Sequence, residues 1–199
     1  MNVLYVHGFG SHFDPSKGKI KILSDELPKH FCDFDLPVKV LGDSIDYCNE
    51  DPVKKMVAFA MRNHVDLIIG TSMGAWTASH VGETLGVPWV AINPACTPRK
   101  SLARHLDRSG EIDFSGRIIN LAESHIDSVY SESMKRDGLF IFDKDDELFD
   151  YKETLKTVGD DVSYVVFEGG SHRFEHMAEA VPHIASYWNR VSCTGDKDS

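Results

Sequence analysis

Short, continuous apolar runs alternate along this chain with longer segments of helical periodicity, and this alternation restricts the fold more than any other feature. Six runs predict strands, at residues 2–6, 38–41, 66–69, 89–92, 139–142 and 164–167. Five segments predict helices, at residues 17–30, 52–64, 73–85, 152–157 and 174–190. Continuous apolar runs are typical of parallel strands that are buried on both faces. The pattern therefore predicts a three-layer α/β fold of about six mostly parallel strands with helices on both faces.

The chain length of 199 residues is sufficient for one domain with a full hydrophobic core. We expect residues 1–191 to form that domain and the short polar segment 192–199 to be a disordered tail. The stretch between the fourth and fifth predicted strands is much longer than an ordinary crossover connection. Within it, residues 95–137 are expected to form either a small cap insert over a pocket or additional surface structure.

Charge and composition exclude several classes of function. The net charge of −10 argues against a nucleic-acid partner, which requires clustered Lys and Arg. No window of about 18 apolar residues predicts a membrane span, and the first residues lack a basic leader and a cleavage site. We therefore expect a cytoplasmic protein without a membrane partner. The four cysteines (Cys32, Cys48, Cys96 and Cys193) lack metal-site spacing and are expected to be reduced thiols.

The segment Gly70-Thr71-Ser72-Met73-Gly74 has the form G-x-S-x-G, and its setting makes it informative. A predicted strand ends just before it and a predicted helix begins just after it, which is the context of a nucleophile elbow. The turn requires glycines because there is little room for side chains beside the serine. Ser72 is therefore a candidate nucleophile at a helix N-terminus. The alternative is a serine that only caps the helix.

A serine hydroxyl needs a base, and His172 is the candidate. In the chain order nucleophile, acid, histidine, the base follows the last strand. Gly169-Gly170-Ser171-His172 comes directly after that predicted strand and directly before the final helix. His176 is a weaker candidate because it lies one turn further along.

The acid that orients the histidine is expected after the penultimate strand, where the chain contains several carboxylates. The loop there contains Asp143, Asp145, Asp146, Glu147 and Asp150. Spacing alone does not distinguish them, because a dense acidic loop is usually just a solvated turn.

The loop His7-Gly8-Phe9-Gly10 leaves the first predicted strand. The backbone N–H of Phe9, with that of Met73, is expected to form an oxyanion hole. A nucleotide-binding loop is the alternative, but the third glycine of that fingerprint is missing. His7 is expected to hold the loop by hydrogen bonds. No metal site and no cofactor are expected.

These segments together resemble the α/β-hydrolase superfamily and, more narrowly, the small bacterial YqiA-type esterases. The resemblance covers nearly the whole chain through four blocks in order, at residues 5–11 with Ser16-Lys17-Gly18, 70–74, 146–151 and 169–174, and also through Asn93-Pro94-Ala95. It implies hydrolysis of an ester or thioester without a cofactor, and it favours Asp146 as the triad acid over Asp145 and Asp143. One departure is Lys144-Asp145, where the family usually has a small residue or glycine before the acid.

We therefore expect a serine hydrolase that acts on a small-molecule carboxylic ester or thioester through an acyl-enzyme on Ser72. An acyltransferase or acyl-CoA thioesterase would use the same residues, and lyase or peptidase chemistry can occur on the same fold. A non-catalytic binding module on this fold is a further alternative. The sequence predicts neither the acyl-chain preference nor the oligomeric state.

Overall fold

The computed structural model describes residues 1–31, 37–159 and 161–192. In these residues the elements are, in chain order, β1 (Asn2–Val6), α1 (Gly18–His30), β2 (Lys39–Leu41), α2 (Pro52–Asn63), β3 (Leu67–Thr71), α3 (Met73–Leu85), β4 (Trp89–Ile92), α4 (Pro98–Ala103), α5 (Glu123–Val129), β5 (Leu139–Asp143), α6 (Tyr151–Val158), β6 (Ser163–Phe167) and α7 (Met177–Ser192). A single 3₁₀ turn, Leu106–Arg108, follows α4. No helix in the described parts of the chain combines the length and the apolar character needed to cross a bilayer.

The six strands form one sheet with the order β2-β1-β3-β4-β5-β6, and every neighbouring pair is parallel. The predicted three-layer α/β fold is therefore confirmed. From β1 the chain first adds β2 on one side of the sheet. It then crosses to the other side of β1, where β3, β4, β5 and β6 follow one another towards the opposite edge. This reversal opens a crevice at the carboxyl ends of β1 and β3, which is where sheets of this kind bind ligands.

Alternation along the strands divides the apolar side chains between two cores. In β1, Leu4 and Val6 belong to one core, and Val3 and Tyr5 to the other. Helices α2, α3 and α6 pack on the first face, whereas α1 and α7 pack on the second. Because β3, β4 and β5 are buried along their whole length, their apolar runs are continuous, as expected for two covered faces.

Local signals account for the start of α2. Asp51 caps α2 by accepting a hydrogen bond from the N–H of Lys54, with Pro52 in the first turn. Helix α7, however, begins at Met177 rather than at the predicted residue 174. Phe174 has φ of +56°, which is incompatible with a right-handed helix.

The predicted tail needs one correction at its first residue. Ser192 is the last residue of α7 and is not part of a disordered segment. The remainder of the predicted tail, residues 193–199, lies outside the described residues.

The segment 95–137 packs onto the α2–α3 side of the sheet. Leu102, Ile119, Ile126 and Tyr130 are buried in the same apolar core as the strands. A short antiparallel bridge between Ile112 and Ile118 closes a loop between the 3₁₀ turn and α5. The insert thus shares its apolar packing with the main sheet.

The loop after β1 is held by the imidazole of His7, which is 1% exposed. Its Nδ1–H donates to the carbonyl of Gly8 at 2.8 Å, and its Nε2 accepts from the N–H of Ile45 at 2.9 Å. The hydroxyl of Tyr47 donates to the carbonyl of His7 at 2.5 Å. This arrangement requires a neutral ring. Burial lowers the pKa of His7 to about 4.

Neutral His7 predicts a specific loss of stability in acid. The unfolded chain binds a proton at this ring below a pKa of about 6.5, whereas the folded protein does so only near pH 4, so stability decreases as the pH falls between these values. Between pH 7 and pH 5 the contribution of His7 is about 2 kcal/mol. Urea unfolding of the wild type and of His7→Gln at both pH values measures it. The variant should be less stable at pH 7 and should lose less on acidification.

His30→Gln is the matched control, because this exposed histidine lies at the end of α1 and should leave the pH dependence unchanged. If His7→Gln retains the full acid dependence of the wild type, the assignment of a buried neutral His7 is wrong.

Candidate active site

The loops that carry the predicted site residues all leave the carboxyl edge of the sheet. Ser72 follows β3, and the loop that contains Asp146 follows β5. The loop that contains His172 follows β6, and the His7-Gly8-Phe9 loop follows β1. Residues that are up to 165 positions apart can therefore meet at the crevice between β1 and β3.

Ser72 lies on a sharply strained turn between β3 and α3. Its φ of 55° and ψ of −122° are unfavourable for any residue with a side chain. A side chain at Gly70 would overlap the backbone of Gly74, and one at Gly74 would overlap the carbonyl of Val6. The N–H of Ser72 donates to the carbonyl of Ile92 at 3.0 Å, which ties the turn to β4. The two glycines of the motif are therefore required by close backbone packing.

The hydroxyl of Ser72 forms a hydrogen bond with His172, the histidine predicted to be its base. Ser72 Oγ lies 3.0 Å from His172 Nε2. On the other side of the ring, His172 Nδ1 lies 2.9 Å from Asp146 Oδ2 and 3.1 Å from Asp146 Oδ1. The Ser72 side chain makes no capping hydrogen bond to α3 in the described chain. The three residues form a continuous hydrogen-bonded series.

Of the three candidate acids, Asp146 is the one that the structure brings to His172. Its side chain is only 2% exposed, and Oδ1 also accepts from the N–H groups of Leu148 and Phe149 at 2.8 and 3.0 Å. Asp145, one residue earlier, is exposed. The neighbouring Glu147 accepts from the backbone N–H of His172 at 2.8 Å, and this bond lowers the pKa of Glu147.

Asp143, the third candidate, has a different environment. It is completely buried at the end of β5. Its Oδ2 accepts from the N–H groups of Ser171 and Glu175 at 3.2 and 2.7 Å, and its Oδ1 lies 2.7 Å from His176 Nδ1. His176, the alternative base in the sequence, therefore pairs with Asp143.

The loop that carries His172 needs unusual backbone conformations. Gly169 and Gly170 have φ of +77° and +78°, and a side chain on Gly170 would overlap the Asp143 carboxylate. Asn93, the residue after β4, accepts from the N–H of Asp143 at 2.8 Å and donates to the carbonyl of Ser171 at 2.9 Å. Reasoning from the residues alone missed the structural roles of Asn93 and Asp143. The only sequence signal was the family resemblance at Asn93-Pro94-Ala95.

Ser72 and His172 face a cavity of about 330 Å³. Its walls are mainly apolar and include Phe9, Met73, Leu102, Ile119 and Phe149, together with the histidine ring of His105 and the charged groups of Arg104, Arg108 and Asp113. Much of this lining comes from the insert. A larger and more open depression of about 800 Å³ is lined by residues such as Arg136, Asp161 and Arg190, and it does not include Ser72.

The residues of the predicted oxyanion hole also lie at this cavity. Phe9 and Met73 both contribute to its lining. A Cβ atom on Gly8 would lie 3.0 Å from Ser72 Cβ, so the loop after β1 passes directly beside Ser72. The ring of Phe9 lies against that of His105, with 4.8 Å between ring centroids.

The buried thiol of Cys96 offers no alternative nucleophile. It is 7% exposed, and burial raises its pKa to about 12, so it is a neutral thiol near pH 7. Within residues 1–31, 37–159 and 161–192, no group of three or more His, Cys, Asp or Glu side chains is arranged to hold a metal ion.

Sequence comparison finds bacterial relatives of nearly the same length. A UPF0227 protein of Vibrio campbellii is 23% identical over 199 residues, which cover 94% of this chain and 99% of the relative. A UPF0227 protein of Shewanella baltica is 25% identical over 191 residues, which cover 93% of this chain and 98% of the relative.

Solved structures with the same fold include several esterases and lipases. Est1E from Butyrivibrio proteoclasticus with bound ferulic acid has a TM-score of 0.66 at 13% identity, covering 97% of this chain and 89% of that one. A monoacylglycerol lipase from Paleococcus ferrophilus has a TM-score of 0.62 at 15% identity, covering 94% and 93%. At these identities the likeness establishes the α/β-hydrolase fold.

The family assignment rests on nearly the full length of the chain. The model of the family described as "Uncharacterised protein family (UPF0227)", the YqiA family, matches residues 2–189. The resemblance identified from the motifs is thereby confirmed. This chain belongs to the UPF0227 family and has the α/β-hydrolase fold.

Proposed function

We propose that this protein is a serine hydrolase that cleaves carboxylic esters or thioesters through an acyl-enzyme on Ser72. The observation that carries this proposal is the hydrogen-bonded series Asp146–His172–Ser72, which ends at a strained elbow facing a cavity. A serine that only capped α3 would not need His172 at 3.0 Å from its hydroxyl. A strained serine backbone is also costly unless a function requires it.

The geometry supports the two steps of acyl transfer. His172 Nε2 accepts the proton of Ser72 Oγ as the oxygen attacks the carbonyl carbon of the substrate. Asp146 keeps Nδ1 protonated and stabilises the imidazolium that forms. The imidazolium then protonates the leaving alcohol or thiol. In the second step His172 accepts a proton from the water that attacks the acyl-enzyme, and it then returns this proton to Ser72 Oγ as the carbon–oxygen bond to Ser72 breaks and the acid is released.

The oxyanion of each tetrahedral intermediate is assigned to the N–H groups of Met73 and Phe9. Met73 is the first residue of α3, where backbone N–H groups and the helix dipole favour negative charge. Phe9 follows Gly8, which packs against Ser72. The loop is held by the buried His7 and Tyr47, so this donor is fixed before substrate binds.

The solved structures of the same fold support the choice of substrate class. One holds ferulic acid, and another is a monoacylglycerol lipase. The mainly apolar cavity of this chain suits the acyl or aryl part of an ester. We place the protein in the cytoplasm, acting on a small molecule. Transfer to an added alcohol instead of water would favour the acyltransferase alternative.

The first test uses a fluorophosphonate probe, which forms a bond from phosphorus to an activated serine oxygen and releases fluoride. The wild type should be labelled on Ser72, and Ser72→Ala should not be labelled. Turnover of an activated ester should fall in this variant by on the order of 10⁵-fold or more. Peptide mapping by mass spectrometry locates the label.

Ser128→Ala is the matched control because this serine is exposed on α5. His172→Ala should slow labelling of Ser72 strongly while the protein stays folded. A folded wild type that takes no label, and hydrolyses no ester in a panel, would favour the binding-module alternative.

A second test separates the two adjacent acids. Asp146→Asn should lower turnover by about 10⁴-fold, because an amide no longer holds the required tautomer or stabilises the imidazolium. Asp145→Asn should leave turnover close to that of the wild type, because this side chain is exposed and lies outside the hydrogen-bonded series. Steady-state kinetics with one activated ester measures both. Equal losses in the two variants would contradict the assignment of Asp146.

A further inference from the structure

The loop that carries His172 has no regular secondary structure, yet its backbone is held on both sides of this residue. The carbonyl of Ser171 accepts from Asn93, and the N–H of Ser171 donates to Asp143. After His172, the carbonyl of Arg173 accepts from Lys19 Nζ at 2.5 Å. Asn93 directly follows β4, Asp143 ends β5 and Lys19 lies in α1, and none of the three belongs to the proposed triad.

Asp143 makes more of these contacts than the other two groups. One carboxylate oxygen binds the N–H groups of Ser171 and Glu175, which flank His172. The other oxygen binds the ring of His176. The carboxylate also occupies the space that a side chain on Gly170 would need. One buried side chain thus spans the loop from residue 170 to residue 176.

The pair Asp143–His176 joins a fully buried carboxylate to a partly exposed imidazole. Asp143 has no exposed surface, and a buried carboxylate is costly unless it is paired and hydrogen-bonded. The ring of His176 is stacked on Phe167, with 5.2 Å between centroids, and its side chain is 26% exposed. The hydrogen bond to Asp143 raises the pKa of His176, which favours the charged ring.

This pair is close in sequence to the proposed triad but makes separate contacts. Asp143 precedes Asp146 by three residues, and His176 follows His172 by four. The Asp146 carboxylate binds the ring of His172, whereas the Asp143 carboxylate binds the backbone around it. Because catalysis depends on a Ser72–His172 distance of 3.0 Å, small shifts of this backbone should be costly.

We propose that Asp143, supported by His176, is a positioning residue that fixes the His172 loop so that the imidazole meets both Ser72 and Asp146. The inference rests on the proposed hydrolase function. Asp143 does not contact substrate in this role, and it affects the reaction only through the position of His172.

The test compares isosteric variants of neighbouring acids. Asp143→Asn keeps the shape but loses the charge, and only one of its two terminal atoms can still accept a hydrogen bond. It should lower kcat by about 10- to 100-fold with KM near the wild-type value. Asp145→Asn is the matched control and should change neither constant. Thermal unfolding identifies the temperature range in which each variant is folded.

His176 provides a second pair of variants if Asp143→Asn does not fold. His176→Ala removes the donor to Asp143 and should lower kcat. His176→Asn places an amide N–H near the position of Nδ1 and should restore part of the lost activity. A kcat that is the same in both variants and in the wild type would overturn the supporting role of His176.

A double-mutant cycle distinguishes positioning from general destabilisation. In a His172→Ala background, Asp143→Asn should cause no further loss of residual turnover, because the residue it acts through is absent. An equal loss with and without His172 would overturn the proposal. So would a folded Asp143→Asn protein with wild-type kcat.

Hydrogen exchange gives a readout that does not require activity. Peptides that cover residues 169–176 should exchange faster in Asp143→Asn than in the wild type, while those from the middle of α7 should not change. Unchanged exchange in residues 169–176 would overturn the anchoring role. Failure of the wild type to react with fluorophosphonate would instead contradict the proposed function, and the exchange result would still decide the anchoring role.

Discussion

The close contact between the elbow and the first strand is the constraint on which the rest of the site depends. Gly74 packs against the carbonyl of Val6, and Gly70 packs against Gly74, at distances that exclude any side chain. This contact brings the N-terminus of α3 to the carboxyl end of β1. As a result, Ser72, Phe9 in the loop after β1 and Met73 at the start of α3 line the same cavity. The strained backbone of Ser72 follows from this packing, and its hydroxyl points to His172 instead of capping the helix.

Two nearby carboxylates have different roles because their hydrogen-bond partners differ. Asp146 is held by the N–H groups of its own loop and presents both oxygens to the ring of His172. Asp143 lies deeper, at the end of β5, and its oxygens are directed to backbone N–H groups and to His176. Asn93 joins the backbone of Asp143 to the histidine loop, because it accepts from the N–H of Asp143 and donates to the carbonyl of Ser171. The inner pair therefore shapes the loop, and the outer carboxylate contacts the imidazole.

Features that are determined by neighbouring residues could be predicted from the sequence, whereas features that depend on contacts between distant residues could not. The bounds of β1, β4 and α3 were predicted to the residue because buried apolar runs and adjacent glycines define them. Ser72 and His172 could be proposed from local motifs. Choosing among Asp143, Asp145 and Asp146 required knowing which side chain turns inward from an irregular loop, and there the family resemblance favoured Asp146.

The anchoring by Asn93 and Lys19 involves partners about 78 and 154 residues away, which no local pattern reveals. The start of α7 was misplaced because a left-handed residue, Phe174, has no sequence signal of its own.

The short segment Ile45–Tyr47 links the loop after β1 to the insert 95–137. Its backbone N–H at Ile45 and its Tyr47 hydroxyl hold His7, and thereby the loop that carries Phe9. The carbonyl of Tyr47 accepts from the hydroxyl of Tyr130 at 2.8 Å, and the carbonyl of Ile45 accepts from Arg117 at 2.9 Å. Both donors belong to the insert 95–137. The insert and the loop after β1 therefore share one support, although they are far apart in sequence.

Because Phe9 also packs against His105 of the insert, a displacement of the insert would be transmitted to the residue whose N–H is assigned to the oxyanion hole. In this protein the insert is thus coupled to the proposed chemistry through the backbone of one loop after β2.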